Sequence, residues 1–408
     1  MEATKKVDPQ QKDSVLDRPM GSLITLNWAS VLFIVILLVT VVSRYAMLGE
    51  RTMSHDETSH VYFSWLLEQG RGYKHDPVTH GPLQFHLMAL SYFLFGDNDF
   101  TARIPHALAS ILTVVFMWNY RRYLGKVGWL VAAFLLLISP YMLYYGRYAR
   151  NEAFVALFTV IGIWAILRYF DTGASRYLYW LTAATVLHFT SKETAFIYSA
   201  QVLIFLALYF LFRITQSTWA RPENRKPFTI ALLLGILLLV GALAALGTGG
   251  TSLPEAATPT VYPAPTTGAE AASGVSIPLL AILLAGLGVV GLIAALYFLF
   301  QGFTIKKIRS ERSFDLLILL GTLVLPMLAP FPVKLMGWDP LDYSSQGMFH
   351  TSLFLIPLAL ISLGIGLWWN RRLWLGNAAL FYAIFIVFYT TIFTNGAGFF
   401  TEMVGSLG

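Results

Sequence analysis

The stretch Ser54-His55-Asp56-Glu57-Thr58-Ser59-His60 lies between two long apolar segments, residues 23–47 and 103–120. The polar stretch continues as far as Arg103 and gathers acids, histidines and basic side chains. The sequence around it is apolar, as in membrane-spanning helices. Ionisable groups are costly in a bilayer, so those found there usually have a function. The stretch therefore predicts chemistry at the bilayer surface.

The composition is that of a polytopic membrane protein. Of the 408 residues, 56% are hydrophobic and 12% are charged, whereas a soluble domain is about 25% charged. The net charge is +6, but most Lys and Arg residues fall in short loops, so the charge indicates topology and not a nucleic-acid partner. The chain has no Cys, which excludes disulfide bonds and thiol catalysis.

Eleven segments are long and apolar enough to be membrane-spanning helices. They lie near residues 23–47, 103–120, 127–145, 152–169, 177–190, 194–213, 228–247, 277–301, 314–330, 350–369 and 374–394. The fold class predicted is therefore all-α and polytopic, with about 11 spans. Within the first external loop, 48–102, we expect two short interfacial helices, near residues 61–67 and 84–95.

Basic residues alternate between the loops and predict the orientation. The loops after every second span carry Lys and Arg and should be cytoplasmic, which places the N-terminus inside. Residues 248–276 contain neither Lys nor Arg and are rich in Pro, Thr, Ala and Gly, as is typical of a flexible external linker. The ionisable clusters, including 54–103, then share the external face of a cell membrane.

Three regions follow from this topology. Residues 1–22 form a cytoplasmic tail, and residues 23–213 form a membrane module that contains the external loop 48–102. Residues 214–408 add further spans and the linker 248–276. Because the chain stops soon after the last apolar segment, we expect the C-terminal region to be incomplete.

Asp56 and Glu57 are the first candidate site residues. Adjacent carboxylates point in different directions, so one can act on a substrate while the other holds a neighbouring group. A general base must lie within hydrogen-bonding reach of the attacking hydroxyl. The alternative is a solvated acidic loop or a helix N-cap, where acids are common.

Two basic clusters are candidates for binding phosphate. Arg147 and Arg150, followed by Glu152, offer planar donor groups that suit phosphate recognition; their alternative role is contact with lipid headgroups. Lys192 and Glu193 lie at the junction of two spans, where Lys can also act as a simple interface anchor.

A bound metal is not required by any spacing in the chain. The histidines fit no metalloprotease pattern such as His-Glu-x-x-His, and Asp97-Asn98-Asp99 is better explained as a turn that caps a helix. Acids and histidines can still build a site for a hard cation. We therefore predict no required cofactor and leave a divalent cation open. The histidines considered are His55, His60, His75, His80, His86 and His106.

The loop motifs resemble those of a known superfamily. Asp56-Glu57, Tyr73, Asp76-Pro77, Gly81-Pro82-Leu83 and Phe100-Thr101-Ala102-Arg103 are similar to the first external loop of GT-C fold lipid-linked-sugar glycosyltransferases. These include the protein O-mannosyltransferases and the aminoarabinose transferases. The segments Arg147 to Glu152 and Ser191-Lys192-Glu193-Thr194 resemble further motifs of this group. The whole chain most closely resembles the flippase-activity-associated family of prokaryotic N-glycosylation.

The resemblance implies an inverting transfer on the external face. A sugar would pass from a polyprenyl-phosphate donor in the bilayer to a hydroxyl of a protein or glycan acceptor. Asp56 would be the general base, and Glu57 would orient the site or the acceptor. Glu152 would order the arginines. The positive groups that would offset the charge of the departing phosphate are Arg147, Arg150 and Lys192.

Four further residues would line the same site: His55, His60, Tyr73 and Glu193. His80 stands where lipid A-modifying relatives carry a Lys that meets the donor phosphate. Since a histidine is charged only below about pH 6.5, its role toward phosphate depends on neighbouring acids.

Two other classes of function remain. A transporter or flippase accessory would carry charges at mid-membrane and an inverted repeat, and the sequence has few of the first and no clear sign of the second. A non-catalytic scaffold would use the same loops to bind a partner.

Overall fold

The computed structural model of the protein describes residues 27–71, 73, 80–248, 279–396, 398, 399 and 401. Within these residues the secondary structure is entirely helical, which confirms the all-α prediction. The predicted tail 1–22, nearly all of the linker 248–276, and His75 lie outside the described residues.

The helices follow one another along the chain with short connections. They are α1 (Trp28–Tyr45), α2 (His55–Glu68), α3 (Leu83–Phe95), α4 (Asp99–Phe116), α5 (Arg121–Ile138), α6 (Pro140–Tyr145), α7 (Glu152–Thr172), α8 (Arg176–Phe189), α9 (Ala195–Gln216), α10 (Arg225–Thr248), α11 (Leu279–Gly302), α12 (Ile305–Ile308), α13 (Arg312–Val324), α14 (Pro330–Leu335) and α15 (Ser345–Tyr389). The two short helices expected in the first external loop correspond to α2 and α3.

Seven helical stretches among the described residues are long and apolar enough to cross a membrane. Two of them, Asp99–Ile138 and Ser345–Tyr389, are interrupted by non-helical backbone at Gly125 and Asn370, and each covers two of the predicted spans. The predicted spans near 177–190 and 314–330 correspond to the shorter helices α8 and α13. Each predicted segment thus contains a helix, while the number of crossings stays a prediction.

The chain forms two compact units. The first comprises residues 1–73 and 84–160, and the second comprises 74–83 and 161–408. In the first unit α1 packs against α4 and α5, and Trp129 contacts the ring of Phe33 with centroids 4.9 Å apart. The predicted division of the chain after residue 213 stays a prediction.

Two arginines tie helix ends together in the first unit. Arg44, which is fully buried, donates to the carbonyls of Leu136 and Leu137 at the end of α5, each at 3.1 Å. Arg147 donates to the carbonyls of Ser43, at 3.1 Å, and Ala46, at 2.6 Å, at the end of α1. The last carbonyls of a helix lack partners within the helix, so these bonds supply the missing donors. They fix the ends of α1 and α5 beside the segment that carries Arg147.

The second unit is built on a core of α8, α13 and α15. The hydroxyl of Tyr389 donates to the carbonyl of Phe189 at 2.8 Å, which fixes the end of α8 against α15. Helices α10 and α11 approach closely through glycines: a Cβ atom added at Gly235 would lie 3.0 Å from the backbone nitrogen of Leu292. Small residues allow this kind of close helix packing in membranes.

Candidate functional site

The acidic pair lies in the first turn of α2. Ser54 is the N-cap of this helix, and its backbone N–H donates to the carboxylate of Glu57 at 3.3 Å. A carboxylate in the first turn is favoured by the unpaired N–H groups of the helix. Glu57 therefore has the helix-capping role that was the alternative explanation for the acidic pair. Asp56 instead contacts Arg150.

Glu57 is the centre of a buried ionic network. Its Oε1 atom accepts from Nε of Arg103 at 2.9 Å and from the Ala149 N–H at 3.0 Å, and its Oε2 atom accepts from Arg51 at 2.7 Å. The Glu57 and Arg103 side chains are both fully buried. Arg103 also donates to the carbonyls of Leu48 and Arg51. One carboxylate thus joins the loop before α2, the start of α4 and the segment before α7.

Arg103 and Arg51 were not among the site residues predicted from the sequence. Arg103 belongs to the motif on which the family resemblance rests. It also lies at the edge of a predicted apolar span, where an arginine is expected to contact lipid headgroups. Its partner Glu57 lies 46 positions away in the chain. Only the tertiary structure brings the two side chains together.

The network determines the ionisation of Glu57. Burial raises the pKa of this carboxyl, but the hydrogen bonds from Arg103 and from the Ala149 N–H outweigh burial, and the pKa lies below its usual value. The lowered pKa favours the charged form of Glu57 at neutral pH, as suits a carboxylate that holds Arg103 and Arg51.

The lowered pKa of Glu57 predicts acid sensitivity. A group whose pKa is lower in the folded state stabilises the fold fully above its unfolded pKa, about 4.3 for Glu, and loses that contribution as the pH falls through the folded pKa. We expect the difference in free energy of unfolding between wild type and Glu57→Gln to shrink below about pH 4.3. Unfolding in detergent over a pH series measures it. A difference that stayed constant throughout the series would contradict the prediction.

Asp56 has a different environment from its neighbour. Its side chain is 47% exposed, and its Oδ2 atom accepts from Nη1 of Arg150 at 2.8 Å. Nε of Arg150 lies 3.4 Å from Oε1 of Glu152, so Arg150 bridges two of the predicted catalytic carboxylates. His55 is fully exposed, with its Nδ1 atom 3.7 Å from Oδ1 of Asp56. The structure therefore brings Asp56, Arg150 and Glu152 together around an accessible carboxylate.

A cavity of about 400 Å³ lies next to the ionic network. Its polar lining comes from Arg51 and Arg147, and its apolar lining includes Leu48, Leu143 and the ring of Tyr144. Arg51 lies over the ring of Tyr148 at 5.0 Å, a cation–π contact that holds the guanidinium in place. Two guanidinium groups in an otherwise apolar cavity suit a ligand with an anionic head and a hydrocarbon chain.

His60 and Tyr73 lie inside the first unit. Nδ1 of His60 is 3.1 Å from the carbonyl oxygen of Ala149, and its ring meets that of Phe85. Tyr73 is buried, with its ring centroid 5.4 Å from that of Phe85. Both residues pack against Phe85 of α3, and their predicted role as site-lining residues stays a prediction.

The remaining predicted residues form a group within the second unit. His80 has a positive φ of 68°, and its Nδ1 atom lies 3.1 Å from Oε2 of Glu193. Burial raises the pKa of Glu193, but the hydrogen bond from His80 and the charge of Lys192 help to bring it below its usual value. His80 thus has the acidic neighbour on which its predicted role depends. Lys192 directly precedes Glu193 in the chain.

The residue after His80 has to be small. The N–H of Gly81 donates to the carbonyl of Ser191 at 3.1 Å, and the N–H of Leu83 donates to that of Thr190 at 2.8 Å. A Cβ atom at Gly81 would lie 2.2 Å from the carbonyl oxygen of Thr190. The Gly81-Pro82-Leu83 motif is therefore a backbone contact that holds His80 near Glu193.

Among the described residues, no group of three or more His, Asp or Glu side chains is placed to hold a metal ion. The part of the chain that includes His75 and Asp76 falls outside this observation. The divalent cation stays an open prediction.

A comparison with known protein families gives a match over residues 79–244, to the family described as dolichyl-phosphate-mannose-protein mannosyltransferase. The match covers less than half of the chain. The predicted resemblance to the GT-C glycosyltransferases is confirmed by this match. The mannosyltransferase-family region contains His80, Arg147, Arg150, Glu152, Lys192 and Glu193, whereas Asp56 and Glu57 precede it.

Individual proteins also match parts or all of the chain. An uncharacterized protein of Aquifex aeolicus (strain VF5) is 28% identical over 131 residues, which are 31% of this chain and 26% of that protein. The archaeal oligosaccharyltransferase AglB of Archaeoglobus fulgidus, solved with an inhibitory peptide and a dolichol-phosphate, aligns over 93% of this chain and 49% of its own, with 13% identity and a TM-score of 0.42. The same oligosaccharyltransferase with Zn and sulfate aligns over 92% of this chain and 48% of its own, with 14% identity and a TM-score of 0.41. The chain thus spans about half the length of these structures.

Proposed function

We propose that the protein transfers a sugar from a polyprenyl-phosphate donor to a hydroxyl group of a protein or glycan, with inversion at the anomeric carbon. The observation that carries the proposal is the contrast between two neighbouring carboxylates. Glu57 is buried and fully bonded, whereas Asp56 is about half exposed and held by one arginine. The mannosyltransferase-family match supports the class of reaction.

Asp56 acts as the general base in this proposal. It accepts the proton of the acceptor hydroxyl while that oxygen forms a bond to the anomeric carbon of the sugar. The bond between the anomeric carbon and the donor phosphate oxygen breaks, and the polyprenyl phosphate leaves with the electron pair. Arg150, held between Asp56 and Glu152, keeps the carboxylate oriented until the proton moves.

Arg51 and Arg147 bind the donor phosphate in this proposal. They line the same cavity, and its apolar wall suits the first isoprene units of the lipid. Because Arg51 also bonds Glu57, the residue next to Asp56, phosphate binding is linked to the base. Charge that develops on the leaving phosphate is offset by fixed guanidinium groups. Arg150 then positions Asp56, and His80 and Lys192 stay candidates for further phosphate contacts.

The test is turnover of defined donors by the purified protein in proteoliposomes. We expect transfer from a polyprenyl-phosphate sugar to an acceptor hydroxyl, with the product of opposite anomeric configuration to the donor. Arg51→Gln should raise the KM for the donor more than it lowers kcat if Arg51 binds the phosphate in the ground state. The matched variant Arg71→Gln removes an arginine stacked on Trp65 and should leave KM unchanged. Donor binding without turnover would favour a flippase accessory, and absence of donor binding would favour a scaffold.

A further inference from the structure

A second polar cavity, of about 300 Å³, lies at the beginning of α13 in the second unit. The rings of Phe170 and Tyr209 form one wall, with centroids 5.1 Å apart. The polar lining comes from Ser310, Arg312, Ser313 and two further residues, Arg213 and Glu311. None of these residues has a role in the proposed transfer reaction.

This cavity is separated from the group around Glu193 by the length of one helix. α9 begins at Ala195, two residues after Glu193, and Arg213 lies in its last turn. A helix of 22 residues is about 33 Å long. The cavity therefore lies at the opposite end of α9, and if α9 crosses the membrane, it lies at the opposite face.

Two guanidinium groups make the cavity positive. Arg312 donates from Nη1 to the carbonyl of Phe170, and a guanidinium has five N–H donors in a fixed plane. Nε of Arg213 lies 3.3 Å from Oε2 of Glu311, and the Arg213 side chain is 52% exposed. Two guanidinium groups and one carboxylate leave a net positive charge. Asp315, the next acid along α13, is bonded to Tyr169 and Trp369.

The start of α13 adds donors that have no side-chain acceptor. Its N-cap residue is Glu311, whose side chain makes no capping hydrogen bond. The N–H groups of a first helical turn lack partners within the helix and attract negative charge. Ser313, in this turn, is 1% exposed, and its hydroxyl has no hydrogen-bond partner. A buried hydroxyl without a partner is unfavourable, and a ligand oxygen in the cavity would satisfy it.

We propose that this cavity binds the phosphate group of an anionic ligand. Phosphate oxygens would accept from Arg213, Arg312, the Ser313 hydroxyl and the first amides of α13, as in other helix N-terminal anion sites. The Glu311 carboxylate now neutralises Arg213, so it competes with the incoming phosphate. The same chemistry serves the headgroup of an anionic lipid and a free phosphate. The proposal does not depend on sugar transfer.

The test uses the full-length protein in neutral detergent and two probes. The first is phosphatidic acid, with phosphatidylcholine as its zwitterionic control, and native mass spectrometry counts the lipids bound. The second is inorganic phosphate, whose own binding is measured by calorimetric titration and which is then added as a competitor of the lipid. Ser313→Asp places a carboxylate in the cavity, and acids are tolerated in the first turn of a helix, so this variant should fold and lose binding by about tenfold or more. Arg213→Gln should weaken binding by about tenfold.

Glu311→Gln provides the opposite change. Removing the resident carboxylate should tighten binding several-fold, an effect that a purely structural role of Glu311 would not produce. The control is Arg221→Gln, which removes an exposed arginine bonded to Gln301 and should leave binding unchanged.

Binding that is sensitive to the variants supports the site, whether or not inorganic phosphate displaces the lipid. The effect of inorganic phosphate shows whether the ligand is a lipid headgroup or a free phosphate. Variant-sensitive lipid binding that inorganic phosphate does not displace assigns a lipid headgroup, and displacement by inorganic phosphate assigns a free phosphate ligand. The proposal is overturned if neither probe binds the wild type. It is also overturned if wild type, Ser313→Asp and Glu311→Gln bind phosphatidic acid equally.

Discussion

Asp56→Asn is expected to lower the turnover of sugar transfer by roughly 100- to 10,000-fold, the range that a positioned general base contributes. The amide keeps the size of the side chain and can still contact Arg150, but it does not accept the hydroxyl proton. Asp56 is about half exposed, so the change leaves the buried network untouched. Donor binding should therefore persist while kcat falls, which turnover and binding assays in proteoliposomes measure separately.

The matched control for Asp56→Asn is Glu68→Gln. Glu68 lies at the other end of the same helix, where its carboxylate contacts the Gln69 amide, and its replacement should leave kcat unchanged. Retained turnover in Asp56→Asn would remove Asp56 from the role of base. Loss of both turnover and folded protein in Asp56→Asn would point to a structural role instead.

Arg103→Met is expected to cause the largest loss of stability. Arg103 is fully buried and bonds both oxygens of the fully buried Glu57. Removing one partner of a buried ion pair leaves the other charge unpaired and costs about 3–5 kcal/mol. The carbonyls of Leu48 and Arg51 lose donors in the same variant. Reversible unfolding in mixed micelles measures the change in free energy of unfolding.

Two comparisons separate this explanation from a general loss of packing. Arg51→Gln removes the other arginine on Glu57, but its side chain is 42% exposed, so the loss should be only about 0–1 kcal/mol. The double variant Glu57→Gln with Arg103→Met leaves no buried charge and should recover part of the stability lost in Arg103→Met. Equal losses in Arg103→Met and Arg51→Gln would contradict the assignment of Arg103 as the buried partner.

The helical membrane fold could be predicted from the sequence because it depends on local properties. Apolar runs of spanning length identify helices without reference to distant residues, and each of the eleven predicted segments contains a helix. The two short helices of the first external loop were likewise predictable from their local pattern. Single non-helical residues divide Asp99–Ile138 and Ser345–Tyr389. These breaks bear on the number of membrane crossings and not on the helical character of the segments.

The residue types of the candidate site were also evident in the sequence. Ionisable side chains next to apolar spans are energetically costly and therefore indicate a function. The residues of this kind are Asp56, Glu57, Arg147, Arg150 and Glu152. Their roles in catalysis and in phosphate binding stay predictions.

The different environments of the two neighbouring acids were decided by the tertiary structure alone. Asp56 and Glu57 are adjacent acids with the same local sequence, yet one is about half exposed and the other is enclosed by Arg103 and the Ala149 N–H. The reason is physical: burial and charge partners come from residues 46 and 92 positions away, and they determine which carboxylate stays accessible. A sequence pattern records which groups are present, and only packing determines which of them are already satisfied.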